Sequence, residues 1–399
     1  MAARDGNTLD RKRPVLTVGY KDAFAQWWTG QTSEQTQHTV LSFLPFYPKS
    51  DGSRVCTTSS VKLSGKDRSI NEVAISHVDG SPDDKSLVML HGYGTGLGIF
   101  YRNLDGLSSM KGWKVYALDL LGYGRSSRPH FHVHAKEASA KIDEAEAFFI
   151  DALEEWRVAR DLTKFTLMGH SLGGYLAVAY ARKYPGRLDK LILVSPVGVL
   201  RNPYVSADPL PDSHGEEESA AGQVAEDMAA KELAAEADHK PPLQKSPYPS
   251  WLVWLWEQNF TPFQIVRASG PLGPRLVSGW TGRRFLGLPP AEYKALHNYS
   301  YTIFKARGSG EFALGYILAP GAYARRPLID RIKGVGVDVT WLYGANDWMD
   351  KSGGEEGSEI LRKLGHKSSV HVVPDAGHNI FLDNPQDFNR VIIEELYKS

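Results

Sequence analysis

What most constrains this chain is a rhythm in its sequence. Short apolar runs end in glycine-rich turns and alternate with segments of helical periodicity. Val73–His77, Ser86–Leu90, Trp113–Leu118, Phe165–Met168 and Leu191–Ser195 read as strands. Between them, Ile142, Ala145, Phe149, Ala152 and Trp156 fall at helical spacing, and a small-residue helix is expected from Tyr175 to Tyr184. Strands joined through helices run parallel, because a crossover needs more chain than a hairpin gives. The fold class is therefore α/β, with a mostly parallel central sheet flanked by helices. The rhythm breaks after Val199 and resumes at Val337–Tyr343 and Ser369–Val373, before a closing helix near Pro385–Tyr397. The core is thus expected over residues 61–200 and 321–399, with an insertion at 201–320. Residues 205–245, rich in Ala, Asp, Glu and Pro, are expected to be mobile. Residues 1–60 form an N-terminal extension.

Composition narrows the function. Lys+Arg and Asp+Glu are both 46, so there is no basic excess of the kind a nucleic-acid binder carries. The single cysteine, Cys56, excludes a disulfide framework and most thiolate metal sites. No apolar run reaches the roughly 18 residues needed to cross a bilayer. Residues 1–19 mix Asp5 and Asp10 with Arg11, Lys12 and Arg13 and lack the apolar core of a secretory signal. Phe24, Trp27, Trp28, Leu41, Phe43, Leu44 and Phe46 admit two readings: a helix packed on the domain, or a membrane-contacting surface where Trp is favoured. Glycines 92, 94, 96 and 98 do not keep a dinucleotide spacing and no G-K-[ST] follows, so no nucleotide is expected. His130, His132 and His134 would share one face of a strand. Nothing nearby completes a metal set, so a loop at a pocket mouth is expected there, and no metal.

The chemistry centres on Gly169-His-Ser-Leu-Gly173. With a strand run before it and a helix after it, Ser171 would sit on a sharp strand-to-helix turn with its hydroxyl held out above the sheet. A serine hydroxyl needs a base. In this topology the acid and then the histidine follow in the chain. His378 lies in a loop just past the last strand; His371 lies within that strand run and His366 before it, so His378 is the expected base. The acid should follow the preceding strand. Asp347, three residues past the strand-end Gly344, is favoured, and Asp350 is the alternative. The rejected carboxylate would cap the next segment. The oxyanion would be met by the backbone N–H groups of Leu172 and Tyr93, while His91 is read as a structural hydrogen-bonder. No cofactor is expected.

Several motifs resemble a known family. His91-Gly-Tyr-Gly-Thr-Gly, Asp119-Leu-Leu-Gly-Tyr-Gly-Arg-Ser-Ser, Gly169-His-Ser-Leu-Gly-Gly and Tyr343-Gly-Ala-Asn-Asp-Trp-Met-Asp are similar to those of α/β-hydrolase subfamily 4/5, a group of lipid-metabolising enzymes. Pro271-Leu-Gly-Pro-Arg-Leu-Val and Pro320-Gly-Ala-Tyr-Ala-Arg-Arg-Pro-Leu strengthen the match, which spans roughly residues 80–395. The branch resembled is the fungal mitochondrial cardiolipin-specific phospholipase. The resemblance implies an α/β-hydrolase fold with a helical lid. It also implies a phospholipid substrate deacylated to a lyso-lipid and fatty acid, and residence at the mitochondrial inner membrane or a lipid-droplet surface. The family's H-x4-D element, tied to lysophosphatidic-acid acyltransferase activity, falls on His378 and Asp383. Asp383 also has a plainer reading, as the N-cap of the final helix. Some relatives place the acid at the position of Asp350 and others at that of Asp347. Others lack the serine and act as lipid-droplet scaffolds; here Ser171 is present.

Overall fold

The computed structural model describes residues 18–204, 247–285 and 287–398. Ten strands are found among them: β1 (Arg54–Lys62), β2 (Ser69–His77), β3 (Lys85–Leu90), β4 (Trp113–Leu118), β5 (Phe165–His170), β6 (Leu188–Val194), the short β7 (Leu318–Ala319) and β8 (Tyr323–Ala324), β9 (Asp338–Gly344) and β10 (Ser368–Val373). Eight form one sheet in the order β1-β2-β4-β3-β5-β6-β9-β10. From β4 to β10 neighbouring strands run parallel, while β2 is antiparallel to both β4 and β1. The mostly parallel sheet expected from the rhythm is therefore observed. Every residue of β5 is buried, as a central parallel strand covered on both faces must be. β7 and β8 pair as a separate ribbon.

Helices cover both faces. Ala138–Ala159 turns Ile142, Ala145, Phe149, Ala152 and Trp156 inward. Leu172–Lys183 is buried from Leu172 to Ala181, and its small side chains let it lie close to β5 and β6. The two helices are tied by a buried cluster. Arg331 grips Glu146 with two hydrogen bonds of 2.6 and 2.8 Å, and the Tyr175 hydroxyl donates to Glu146 at 2.6 Å.

The sheet begins earlier than the sequence suggested. β1 starts at Arg54, inside the segment assigned to the N-terminal extension, and pairs with β2 along its whole length. The apolar stretch 24–46 is two helices, Tyr20–Thr29 and Ser33–Leu41. Val40, Leu41, Leu44 and Phe46 belong to the core, whereas Phe24, Trp27, Trp28 and Phe43 face outward. The segment 205–245 falls outside the described residues. The insertion contributes helices Ser250–Glu257, Pro262–Ala268, Gly273–Arg284 and Pro290–Lys305. Trp256 pins the first of these to the ribbon, its indole N–H donating to the Leu318 carbonyl at 2.9 Å.

Candidate active site

Ser171 stands where β5 turns into the helix Leu172–Lys183, with φ 54° and ψ −115°. That left-handed backbone costs energy in a non-glycine residue and persists only where the surroundings hold it. Here they do: the Ser171 N–H donates to the Val194 carbonyl at 2.9 Å and its carbonyl accepts from Val197 at 3.3 Å. The flanking glycines are demanded by contact. A Cβ on Gly169 would fall 2.3 Å from the Gly173 carbonyl oxygen, and one on Gly173 would fall 2.7 Å from the carbonyl oxygens of Leu90 and His91.

The Ser171 hydroxyl lies 3.1 Å from His378 Nε2, and His378 Nδ1 lies 3.2 Å from Asp347 Oδ1. Three residues remote in sequence thus meet at the carboxyl edge of β5, β9 and β10. The Asp347 side chain is 1% exposed and that of His378 is 8% exposed. Burial pushes the Asp347 carboxyl up. Hydrogen bonding and charge from His378, with the Met349 N–H, outweigh it, so the group stays below its usual value. Asp350 does not contact the histidine; its Oδ1 accepts from Ser352 N–H at 2.9 Å, at the start of the helix Ser352–Lys363. His371 instead contacts Glu395, at 3.2 Å.

Tyr93 and Leu172 border the same cavity as Ser171 and His378. A Cβ on Gly92 would press to 2.9 Å from Ser171 Cβ, so only glycine lets this loop come so near. The loop is held by the fully buried Asp119, which accepts from Leu97 N–H at 2.7 Å, Arg125 N–H at 2.8 Å and the Asn71 amide at 2.7 Å. His91 Nε2 accepts from Leu120 N–H at 3.0 Å, and its Nδ1 donates to the Gly92 carbonyl at 2.8 Å. Desolvation lowers its pKa despite the nearby Asp119, so it is a neutral strut of the loop.

Asp383 is not the cap of the final helix. Asn384 takes that position, its side-chain oxygen accepting from Asp387 N–H, with Pro385 in the first turn. Asp383 accepts from Gly377 N–H at 2.8 Å and so brackets the loop that carries His378. The three histidines at 130, 132 and 134 do share a face, but it is the outer one: Phe131 and Val133 point inward. They do not border the cavity, which corrects the expected pocket mouth, and no group of metal-ligating side chains is found among the described residues.

Three neighbours of the site escaped the sequence reading. His170 lies fully buried beneath His378, its Nε2 donating to the His378 carbonyl at 3.0 Å; desolvation drives its pKa far down and keeps it neutral. The Trp348 ring lies 5.0 Å from that of His378. Arg284, brought in by the insertion, borders the cavity with its guanidinium 4.6 Å from the Trp280 ring. Burial pulls its pKa down to about 10. His170 and Trp348 had a weak signal, their places beside the serine and the acid; nothing local marked Arg284.

The cavity measures about 580 Å³, and Val197, Val199, Leu314, Leu318 and Trp256 give it an apolar wall. Such a fold, with a strained serine hydrogen-bonded to a histidine–carboxylate pair, has the architecture of an α/β-hydrolase. The comparisons agree. Residues 85–237 match the alpha/beta hydrolase fold family. The chain is 37% identical over 340 residues to a 1-acylglycerol-3-phosphate O-acyltransferase of Arabidopsis thaliana, covering 83% of this chain and 70% of that protein. It is 32% identical over 319 residues to a (lyso)-N-acylphosphatidylethanolamine lipase of Bos taurus, covering 78% and 79%. A solved carboxylesterase of Bacillus subtilis shares the fold, with a TM-score of 0.55 at 16% identity over 94% of this chain and 99% of that one. The chain belongs to the α/β-hydrolase family, and its curated relatives include lipid enzymes.

Proposed function

We propose that the protein is a serine-dependent lipid ester hydrolase that deacylates a cardiolipin-like phospholipid. The observation that carries this reading is the hydrogen-bonded series Ser171–His378–Asp347 opening on an apolar cavity. Ser171 Oγ attacks the acyl carbonyl carbon while its proton passes to His378 Nε2. Asp347 holds the imidazole tautomer and stabilises the imidazolium. The N–H groups of Leu172 and Tyr93 take the oxyanion. His378 returns the proton to the departing lyso-lipid oxygen, and water, activated by the same histidine, then releases the fatty acid. The mechanism calls on side chains and backbone alone.

Acyl transfer is the second reading, favoured by the acyltransferase name of the Arabidopsis relative. A lyso-lipid hydroxyl replaces water at the second step, and the bond formed is an ester. Hydrolysis of an N-acyl phospholipid at the same site is suggested by the bovine relative's name. A non-catalytic scaffold is disfavoured by the hydroxyl–imidazole contact at 3.1 Å, which such a role does not need. We further propose a peripheral site of action on a phospholipid surface, with the mitochondrial inner membrane as the expected location and the cytoplasm or a lipid droplet as the others. Among the described residues no helix is long and apolar enough to cross a membrane.

The test uses purified protein and vesicles of single phospholipids. Fatty-acid release that is greatest from cardiolipin, with fluorophosphonate labelling of Ser171, is the expected result. Labelling with release only from short soluble esters overturns the lipid reading, and a protein that neither labels nor releases fatty acid is a scaffold. Ester formation from added lyso-lipid, faster than release to water, favours transfer.

A further inference from the structure

The cavity beside Ser171 has one cationic side chain on its wall among the described residues, Arg284, and that cation meets no anion. Other arginines that reach into the protein find partners. Arg331 grips Glu146, Arg267 grips Glu311, and Arg128 donates to the carbonyls of Gly122 and Arg307. Arg284 forms no ion pair or hydrogen bond among the described residues; it has the face of Trp280 on one side and the like charge of Arg283 nearby. The carboxylate on the same wall, Asp350, is engaged with the Ser352 N–H. The charge of Arg284 is nevertheless felt at the base of the site, where it disfavours protonation of His170.

We propose that Arg284 reads phosphate: it binds the phosphate of a lipid whose acyl ester lies at Ser171, and so selects phosphate-bearing esters over neutral ones. The proposal rests on the ester-hydrolase reading above for the position of the acyl group. A desolvated guanidinium without a counter-charge is costly, and a phosphate entering the cavity removes that cost. The planar fork offers paired N–H donors that match two phosphate oxygens, while stacking on Trp280 fixes its plane. In a glycerophospholipid the phosphate lies only a few bonds from the esters, so one cavity accommodates both. The arginine remains charged at neutral pH even with its pKa at about 10.

The experiment measures binding to the full chain carrying Ser171→Ala, with and without Arg284→Gln. The probes are dihexanoyl phosphatidic acid below its critical micelle concentration, dihexanoylglycerol and inorganic phosphate. Phosphatidic acid should bind tighter than either other probe. Arg284→Gln should reduce its preference over dihexanoylglycerol by about tenfold to a hundredfold, the range expected for hydrogen bonds to a charged group. Arg284→Lys, which keeps a point charge, should lose part of that preference, and it decides the matter if the glutamine variant fails to fold. Equal weakening of both lipids marks a packing role and overturns the proposal, as does an unchanged preference. Inorganic phosphate binding as tightly as phosphatidic acid assigns the site to a free anion and overturns headgroup recognition. Should the protein with Ser171 intact cleave no ester while the binding pattern holds, the catalytic reading falls and the role of Arg284 stands.

Discussion

In the proposed mechanism, Ser171→Ala removes the atom that forms the acyl bond. It should lower ester turnover by about a million-fold, the scale seen when a serine nucleophile is deleted, and abolish fluorophosphonate labelling. The two acidic candidates separate more sharply. Asp347→Asn should cost about ten-thousand-fold in kcat, because the amide favours the wrong histidine tautomer. Asp350→Asn touches only the Ser352 N–H and should leave kcat within about an order of magnitude, a cap being worth about 1 kcal/mol. Rate profiles of the two variants on one soluble ester decide this; equal losses would mean that both carboxylates serve the histidine. Serine, acid and histidine were legible because each follows a strand end, and strand ends can be read from apolar runs. His170, Trp348 and Arg284 were not, since their roles arise only when the β10 loop and the insertion fold back over β5.

At the scale of elements, the same limit explains the missed strand. β1 reads Arg-Val-Cys-Thr-Thr-Ser-Ser-Val-Lys, and only Cys56 and Val61 of it turn to the core, so its pattern is too polar to announce a sheet edge. Cys56 serves as a small apolar residue there; burial pushes its thiol up to about 12, far from reactivity. Asp383 and Asn384 illustrate a boundary that sequence leaves ambiguous by one position: both can cap, and the chain uses the first to brace the His378 loop. Two predictions belong here. In the Gly92 loop, Gly92→Ala would drive a methyl group to within 2.9 Å of Ser171 Cβ and 3.0 Å of His170 Nδ1, so kcat should fall at least tenfold with little change in Tm. A full-rate alanine variant would show that the loop is not held where it lies. The closing helix Pro385–Tyr397 is joined to the sheet through Glu395, which accepts from Lys190 at 2.8 Å and from Thr340 at 2.8 Å. Desolvation raises this carboxyl, but its partners prevail and hold it at about 2. A folded pKa below the ordinary 4.5 contributes stability that is fully present above 4.5 and lost as pH falls toward 2. Thermal unfolding should therefore weaken through that window. Glu395→Gln should flatten the acid limb while lowering Tm at neutral pH, because Lys190 is left buried and unpaired. An unchanged acid limb would assign the loss to other carboxylates.

For the molecule as a whole, the remaining question is what its exposed aromatic groups do. Among the outward-facing large apolar side chains, two groups are rich in tryptophan: Tyr20, Phe24, Trp27 and Trp28 on the N-terminal helix, and Trp251, Leu252 and Trp254 on the helix Ser250–Glu257. Trp28 is 73% exposed and Trp251 is 63% exposed, whereas Trp256 on the same helix as Trp251 borders the cavity. The N-terminal helix packs on Gly270–Leu272 and Gly273–Arg284, and Arg275 fastens it, stacking on Tyr20 and donating to the Val18 carbonyl at 2.9 Å. Helices of the insertion thus connect the two outward aromatic groups with the cavity wall. Trp at a water–hydrocarbon boundary buries its ring while its N–H stays wet, so such residues suit a protein that draws lipid from a surface. Each exposed Trp that enters a bilayer interface contributes on the order of 1–2 kcal/mol by area, or roughly tenfold in partitioning. Trp28→Ser and Trp251→Ser should each weaken vesicle binding by about that factor in a flotation assay, with the double variant close to the product of the two. Turnover of a short soluble ester should be retained in both, since neither side chain reaches the cavity. Equal losses on vesicles and on the soluble ester would reassign these tryptophans to packing of the insertion, and unchanged vesicle binding would leave the membrane proposal without an anchor.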